Sequence, residues 1–231
     1  MNLFKESLFK IHFFHKISPF ENKYLYLLVS LVLFSLVSPF VGSSNLARFA
    51  NTILVTVVIA FSLYAEYENK RVDYIEFGLG IIAIIITWVN YFFHFMPYID
   101  ILTLVSYSLF FSYFLIELIS RIVISSIVSM NLIYAAIVGF ISIALLGSVF
   151  AAIIHLLIPT AYNFYVDPQI HMFENYVYYC FITVTTVGYG DELPIHPASK
   201  MLAIFLSVSA HMYSTIVLGM IIGKFISTKK P

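Results

Sequence analysis

The chain has 231 residues, of which 61% are hydrophobic and only 10% charged, and its mean hydropathy is +0.95. That is too apolar for an ordinary soluble domain and marks an integral membrane protein. Lys+Arg and Asp+Glu are equal at 12 each, so net charge argues for neither a nucleic acid nor an acidic partner; the single cysteine, Cys180, excludes an intrachain disulfide and reads as a small buried apolar residue.

Residues 1–23 set Lys5, Lys10, Lys16 and Lys23 among Leu3, Phe4, Leu8, Phe9, Ile11, Phe13 and Phe14, the pattern of an amphipathic helix on a membrane surface, broken at Ser18-Pro19. The run from Tyr24 to Val41 is longer than a signal-peptide core and lacks a small-residue cleavage site, so it reads as a retained first span. Further apolar runs at 47–65, 75–95, 98–119, 132–158 and 198–226 are long enough to cross a bilayer, which makes six. The fourth holds no Lys or Arg. Glu117 and Arg121 follow in the order that favours a helical ion pair. Arg121, Ser125 and Ser129 form a polar stripe opposite Val123, Ile124, Ile127 and Val128, which predicts an interfacial linker helix over 120–131.

Between the last two runs, 159–197 is too polar to span. Pro159, Asn163, Asp167, Pro168 and His171 give it loop character, and Phe173 to Thr185 then forms a short helix, the layout of a re-entrant loop. It ends in Thr183-Val184-Thr185-Thr186-Val187-Gly188-Tyr189-Gly190-Asp191. Glycine takes positive φ at little steric cost, so two glycines at alternate positions let consecutive carbonyls turn toward one side and replace water around a desolvated cation. One such stripe cannot surround an ion, so several chains must meet around an axis.

This stretch resembles a potassium channel selectivity filter, and the similarity runs from about Phe173 to Gly223. It implies an all-α membrane protein in which a re-entrant pore helix and filter sit between the fifth and sixth of six spans, assembled as a homotetramer that conducts K+ and needs no other cofactor. The domains that follow are a four-helix membrane domain over 24–119, resembling a sensor module without sensor charges, the linker, and a pore domain over 132–231. In the family, Thr186 supplies its hydroxyl and carbonyl as ligands, Val187, Gly188 and Tyr189 supply carbonyls, and Gly190 closes the stripe. Thr185 and Asp191 support the filter, and Tyr179, where tryptophan is common, is expected to bond toward Tyr189 or Asp191. Ile182 stands where some members carry a carboxylate behind the filter. Ala210 occupies the place of a glycine hinge and favours a straighter helix by roughly 1 kcal/mol. Gly219 and Gly223 offer close packing or bending instead. His211, Ser214, Leu218 and Ile222 share a face that the resemblance turns toward the cavity, where protonation of four His211 side chains would repel K+.

With the N-terminus in the cytoplasm, ten of the twelve basic residues lie inside, among them Lys23, Arg121 and Lys224, and only Arg48 and Lys200 outside. Asp100, Asp167, Glu174, Asp191 and Glu192 then fall on the outer side. Both termini are cytoplasmic, in a plasma membrane, or the inner membrane of a bacterium. His94, His155, His171 and His196 read as surface histidines near the outer face, without metal-ligand spacing. Voltage sensing needs several charges per subunit, each doing about 2.3 kcal/mol of work per 100 mV, so strong voltage gating is not expected. Two other readings are a poorly selective cation channel and a Gly-x-Gly-Asp intramembrane aspartyl protease; the latter requires a second aspartate, in a Tyr-Asp pair that this chain lacks.

Overall fold

A computed structural model describes residues 22–37, 45–66, 74–93, 97–125, 128–164 and 172–227. The surface helix expected over 1–23 lies almost wholly outside them, as do Asp167, His94 and His171. Among the described residues there are seven helices and no strand: α1 (Lys23–Val37), α2 (Asn45–Glu66), α3 (Tyr74–Phe93), α4 (Pro97–Ile124), α5 (Met130–Leu157), α6 (Met172–Val184) and α7 (Pro197–Ser227). Five of them, α2 to α5 and α7, are long and apolar enough to cross a membrane. Helix α1 is apolar but has 15 residues, about 22 Å at the helical rise, shorter than the run expected over 24–41; residues 38–41 are outside the described residues.

Lipid is as apolar as leucine, so helix association here rests on close packing and internal hydrogen bonds rather than on escape from water. Leu27 and Leu31 of α1, Ile59 of α2 and Phe110, Phe114 and Leu118 of α4 are essentially fully buried. Gly80 lets α3 approach its neighbours: a methyl group there would meet Leu63 at 2.8 Å and Phe110 at 3.1 Å. Hydroxyls inside the bundle return to their own helices, as Ser62 to the Val58 carbonyl (2.9 Å) and Thr87 to that of Ala83 (2.6 Å), which satisfies these donors within the apolar interior.

One end of the bundle is tied by polar contacts. The Tyr24 hydroxyl donates to Glu66 (2.9 Å), which forms an ion pair with Arg121, and the Tyr24 amide donates to Asn131 Oδ1 (3.1 Å). The beginnings of α1 and α5 thus meet the ends of α2 and α4. Lys224 near the end of α7 reaches the same place: its ammonium donates to the carbonyls of Ile122 (2.8 Å) and Val123 (2.9 Å). A cation at a helix C-terminus meets free carbonyls and the negative end of the helix dipole.

These contacts change the linker expected over 120–131. Residues 120–124 continue α4, because Arg121 finds a buried carboxylate on α2 and the helix stays in register with the bundle. Ser129 then caps α5, its side chain accepting from the Leu132 amide (3.2 Å).

Candidate functional site

Helix α5 packs against α1, α4, α6 and α7 and forms the wall on which the loop after α6 is mounted. Small residues bring α7 onto it. A methyl group at Gly139 would stand 2.1 Å from the Tyr213 hydroxyl oxygen, and one at Gly147 would stand 2.7 Å from Leu206. The Tyr213 hydroxyl donates to the Ala136 carbonyl (2.9 Å), so the close approach also satisfies a buried polar group. Ala210 is fully buried in this contact, and α7 runs through it as one helix. It also runs unbroken through Gly219 and Gly223, beside which a methyl group would meet nothing.

Helix α6 has 13 residues, about 20 Å, too short to cross a bilayer. Its last carbonyls hold the loop that follows: the amides of Val187 (3.0 Å) and Gly188 (3.1 Å) both donate to the Ile182 carbonyl, and that of Thr186 to Thr183 (3.1 Å). The hydroxyls of Thr183 and Thr185 bond back to the carbonyls of Tyr179 (2.7 Å) and Phe181 (2.6 Å), whereas that of Thr186 has no hydrogen-bond partner among the described residues.

Three alternate residues of this loop have positive φ: Thr186 at 62°, Gly188 at 50° and Gly190 at 80°. The two glycines adopt it readily. Thr186 does not, being β-branched, and such a conformation costs of order 1–3 kcal/mol and persists only where the surroundings enforce it. The intervening Val187 and Tyr189 are not in that region. Alternation of this kind is what brings successive carbonyls to one side of a strand. Residues 185–191 are all exposed, Tyr189 at 72%.

Beyond the loop the chain is strapped to the end of α5. Asn163 donates its amide to the Leu193 carbonyl (3.1 Å) and accepts the Leu193 amide on its side chain. The Ala161 carbonyl accepts from the amides of Ile195 (2.8 Å) and His196 (3.2 Å) and from the Ser199 hydroxyl (2.7 Å). Beneath the strap, Tyr162, Phe164, Tyr176 and Tyr179 pack ring against ring, Tyr162 and Phe164 stacking at 4.6 Å. His155 belongs to this cluster rather than to the surface: it is buried, and its Nδ1 is 2.9 Å from the Tyr176 hydroxyl. His196 instead accepts the Ala198 amide (3.2 Å) in the first turn of α7.

The bond expected from Tyr179 to the end of the filter is made by its neighbour. Tyr178 donates to Asp191 Oδ2 (2.6 Å), while Tyr179 is buried among the aromatics. Successive residues point about 100° apart around a helix, so only one of the two can face the loop. The Tyr178 hydroxyl holds the Asp191 carboxyl below the ordinary carboxylate range, so it stays charged. The adjacent Glu192 is pushed the other way, to about 7, by partial burial and by the Asp191 charge. Among the described residues the other aspartate, Asp100, lines a cleft between α2, α3 and α4 and cannot form a dyad with Asp191.

His211, Ser214, Leu218, Gly219 and Ile222 all lie on an exposed face of α7. The Ser214 and Thr215 hydroxyls return to the His211 carbonyl (2.9 Å each). Glu66, Tyr178 and the strain at Thr186 were not singled out from the sequence. A carboxylate at the end of an apolar run was the signal available for Glu66; a β-branched residue gives no signal of positive φ.

Residues 142–227, from the middle of α5 through the loop to the end of α7, match the family model described as ion channel. No curated protein and no solved structure matches the chain. Together with the apolar helices, the match supports a multi-pass membrane protein that is an ion channel rather than an enzyme.

Proposed function

We propose that the chain is one subunit of a potassium-selective channel, four copies of which surround an axis lined by Thr186, Val187, Gly188, Tyr189 and Gly190. The observation that carries this reading is the alternation of positive φ at Thr186, Gly188 and Gly190, including the strained threonine. K+ would be held by the carbonyls of Thr186 to Tyr189 and by the Thr186 hydroxyl, which has no hydrogen-bond partner among the described residues. Thr185 fixes the entrance through Phe181 and Asp191 fixes the exit through Tyr178. Helix α6 ends at the loop, and the partial negative charge of its C-terminus favours a cation there.

In this reading α5 to α7 are the pore domain, with α6 re-entrant, and α1 to α4 are a bundle whose α4 carries Arg121 as its one basic residue, at the end and paired with Glu66. Conduction is then passive and not strongly voltage-gated. The exposed face of α7 at His211, Ser214, Leu218 and Ile222 lines the inner cavity, with Ala210 behind it, and both termini lie in the cytoplasm of a plasma or inner membrane. Single-channel recording in a planar bilayer under opposed K+ and Na+ gradients tests it. The expected reversal potential lies near that of K+; one near zero in a conducting protein replaces the reading by a poorly selective cation channel, and absence of current rejects both. Acidifying the inner side should reduce current, and His211→Ala should remove that response.

A further inference from the structure

Lys224 fixes the inner end of α7 to the end of α4, where its ammonium donates to the carbonyls of Ile122 (2.8 Å) and Val123 (2.9 Å) in the last turn. Farther from this end the two helices stand apart. An apolar cleft of about 380 Å³ lies between them, lined by Leu115 and Ile119 of α4, Leu146 of α5 and Phe205, Ile216 and Met220 of α7. The contact therefore bridges two helices that are not closely packed along the cleft. Its other side is anchored in the bundle: Arg121, next to Ile122, pairs with Glu66 of α2, to which the Tyr24 hydroxyl of α1 donates (2.9 Å). A chain of polar contacts thus runs from α1 and α2 through the end of α4 to α7.

We propose that this contact is a clamp that holds the inner end of α7 away from the pore axis and keeps the inner mouth wide, with the bundle of α1 to α4 as its anchor. The direction follows from the helix. Lys224 leaves α7 on the side of the buried Val217 and Tyr213, about two and three turns earlier, and not on the side of the exposed Leu218 and Ile222. Tension through Lys224 therefore draws α7 toward the bundle and off the face assigned to the cavity. A cation held by carbonyls at a helix C-terminus is a firm tether, yet its release asks only for exchange with water and no repacking of a core. Gly219 and Gly223, beside which a methyl group would meet nothing, give the last turns of α7 room and pliancy to follow. The bundle, whose α4 has no row of basic residues, then serves as a brace for the gate. The inference rests on the tetramer proposed above, with α7 lining its axis.

Two readouts on the full chain test it. In membranes, Ile222→Cys is oxidised with copper phenanthroline and the disulfide-linked dimers are followed on a gel; the native Cys180 is buried and does not compete. Adding Lys224→Met should speed dimer formation about tenfold, the effect of losing roughly one bond to a charged group. Lys224→Arg, which keeps charge and donors, should stay near the wild-type rate. In single-channel recording, Lys224→Met should lower the ratio of open to closed time by a similar factor and leave unitary current unchanged. Glu66→Gln loosens the anchor and should act in the same direction, but add little to Lys224→Met because both cut one chain of contacts. Unchanged or slower cross-linking, or an unmoved open-to-closed ratio in a conducting protein, overturns the clamp; full additivity of the two variants overturns the part given to the bundle. Cross-linking that responds as expected in a protein with no current, or an unselective one, keeps the clamp and rejects the potassium-channel reading. A K+-selective current with unmoved cross-linking does the reverse.

Discussion

Helices α5 and α7 bracket α6 and the loop after it and are nearly equal in length, at 28 and 31 residues, yet 56% of the most apolar part of α5 is buried within one chain against 17% of that of α7. Helix α5 finds its partners in its own chain, through glycines that admit Tyr213 and Leu206. Helix α7 uses one narrow face for that contact and leaves the rest, with the loop after α6 beside it, uncovered. The difference divides the molecule into a part completed by folding and a part that folding leaves for other molecules: further copies, ions, water or lipid.

The sharpest way to test this division is to damage each part separately. Gly188→Ala puts a side chain on a residue with φ of 50° in a loop where a methyl group meets nothing, so K+ current should disappear while the chain still folds, as read by bilayer recording beside thermal unfolding. Gly139→Ala should do the opposite, overpacking the α5–α7 contact at a cost of about 1–3 kcal/mol. A lowered Tm, partly restored by adding Tyr213→Ala, would confirm the contact; an unchanged Tm would break the comparison. Next in size is Tyr178→Phe, which frees the end of the filter loop from Asp191 and should lower K+ over Na+ selectivity in bi-ionic reversal potentials, whereas Tyr179→Phe should not.

A smaller effect is expected from Glu192. Its carboxyl titrates near 7 in the fold, above its ordinary value, so it is neutral below that pH and charged above it. Raising the outer pH from 6 to 8 should therefore add negative charge beside Asp191 and increase inward current at low K+, and Glu192→Gln should flatten this response. The sign for stability is opposite: ionisation works against the fold, so this group's contribution is present at acid pH and lost as pH rises through 7. The smallest change is Gly219→Ala on the open face of α7, which by helix propensity should stabilise the isolated chain by up to about 1 kcal/mol in thermal unfolding.

Much of this was legible in the sequence because a bilayer imposes simple rules. Apolar runs located the five long helices, and the polar stretch between the last two located α6 and the loop after it. Composition could not say where α4 ends, because Arg121 pairs with Glu66, a residue remote in sequence. The two glycines announced positive φ, but Thr186 did not, since its conformation is imposed by the amides held at the end of α6 rather than by its own preference. Adjacent tyrosines are equivalent on paper, and only the rotation of α6 against the aromatic cluster separates Tyr178 from Tyr179. His155 reads as a surface residue in the sequence because the Tyr176 hydroxyl that satisfies it lies 21 residues away.

The break between α4 and α5 carries a consequence for inheritance within an assembly. Five residues separate Ile124 from Met130, a reach of at most about 22 Å, and α4 packs on the α5 of its own chain while Lys224 of the same chain caps it. In the tetramer proposed above, each bundle therefore leans on the α5 of its own chain. There, a lesion in the bundle and a lesion in α5 to α7 would compound when one gene copy carries both, and would fall on different subunits when two copies carry one each.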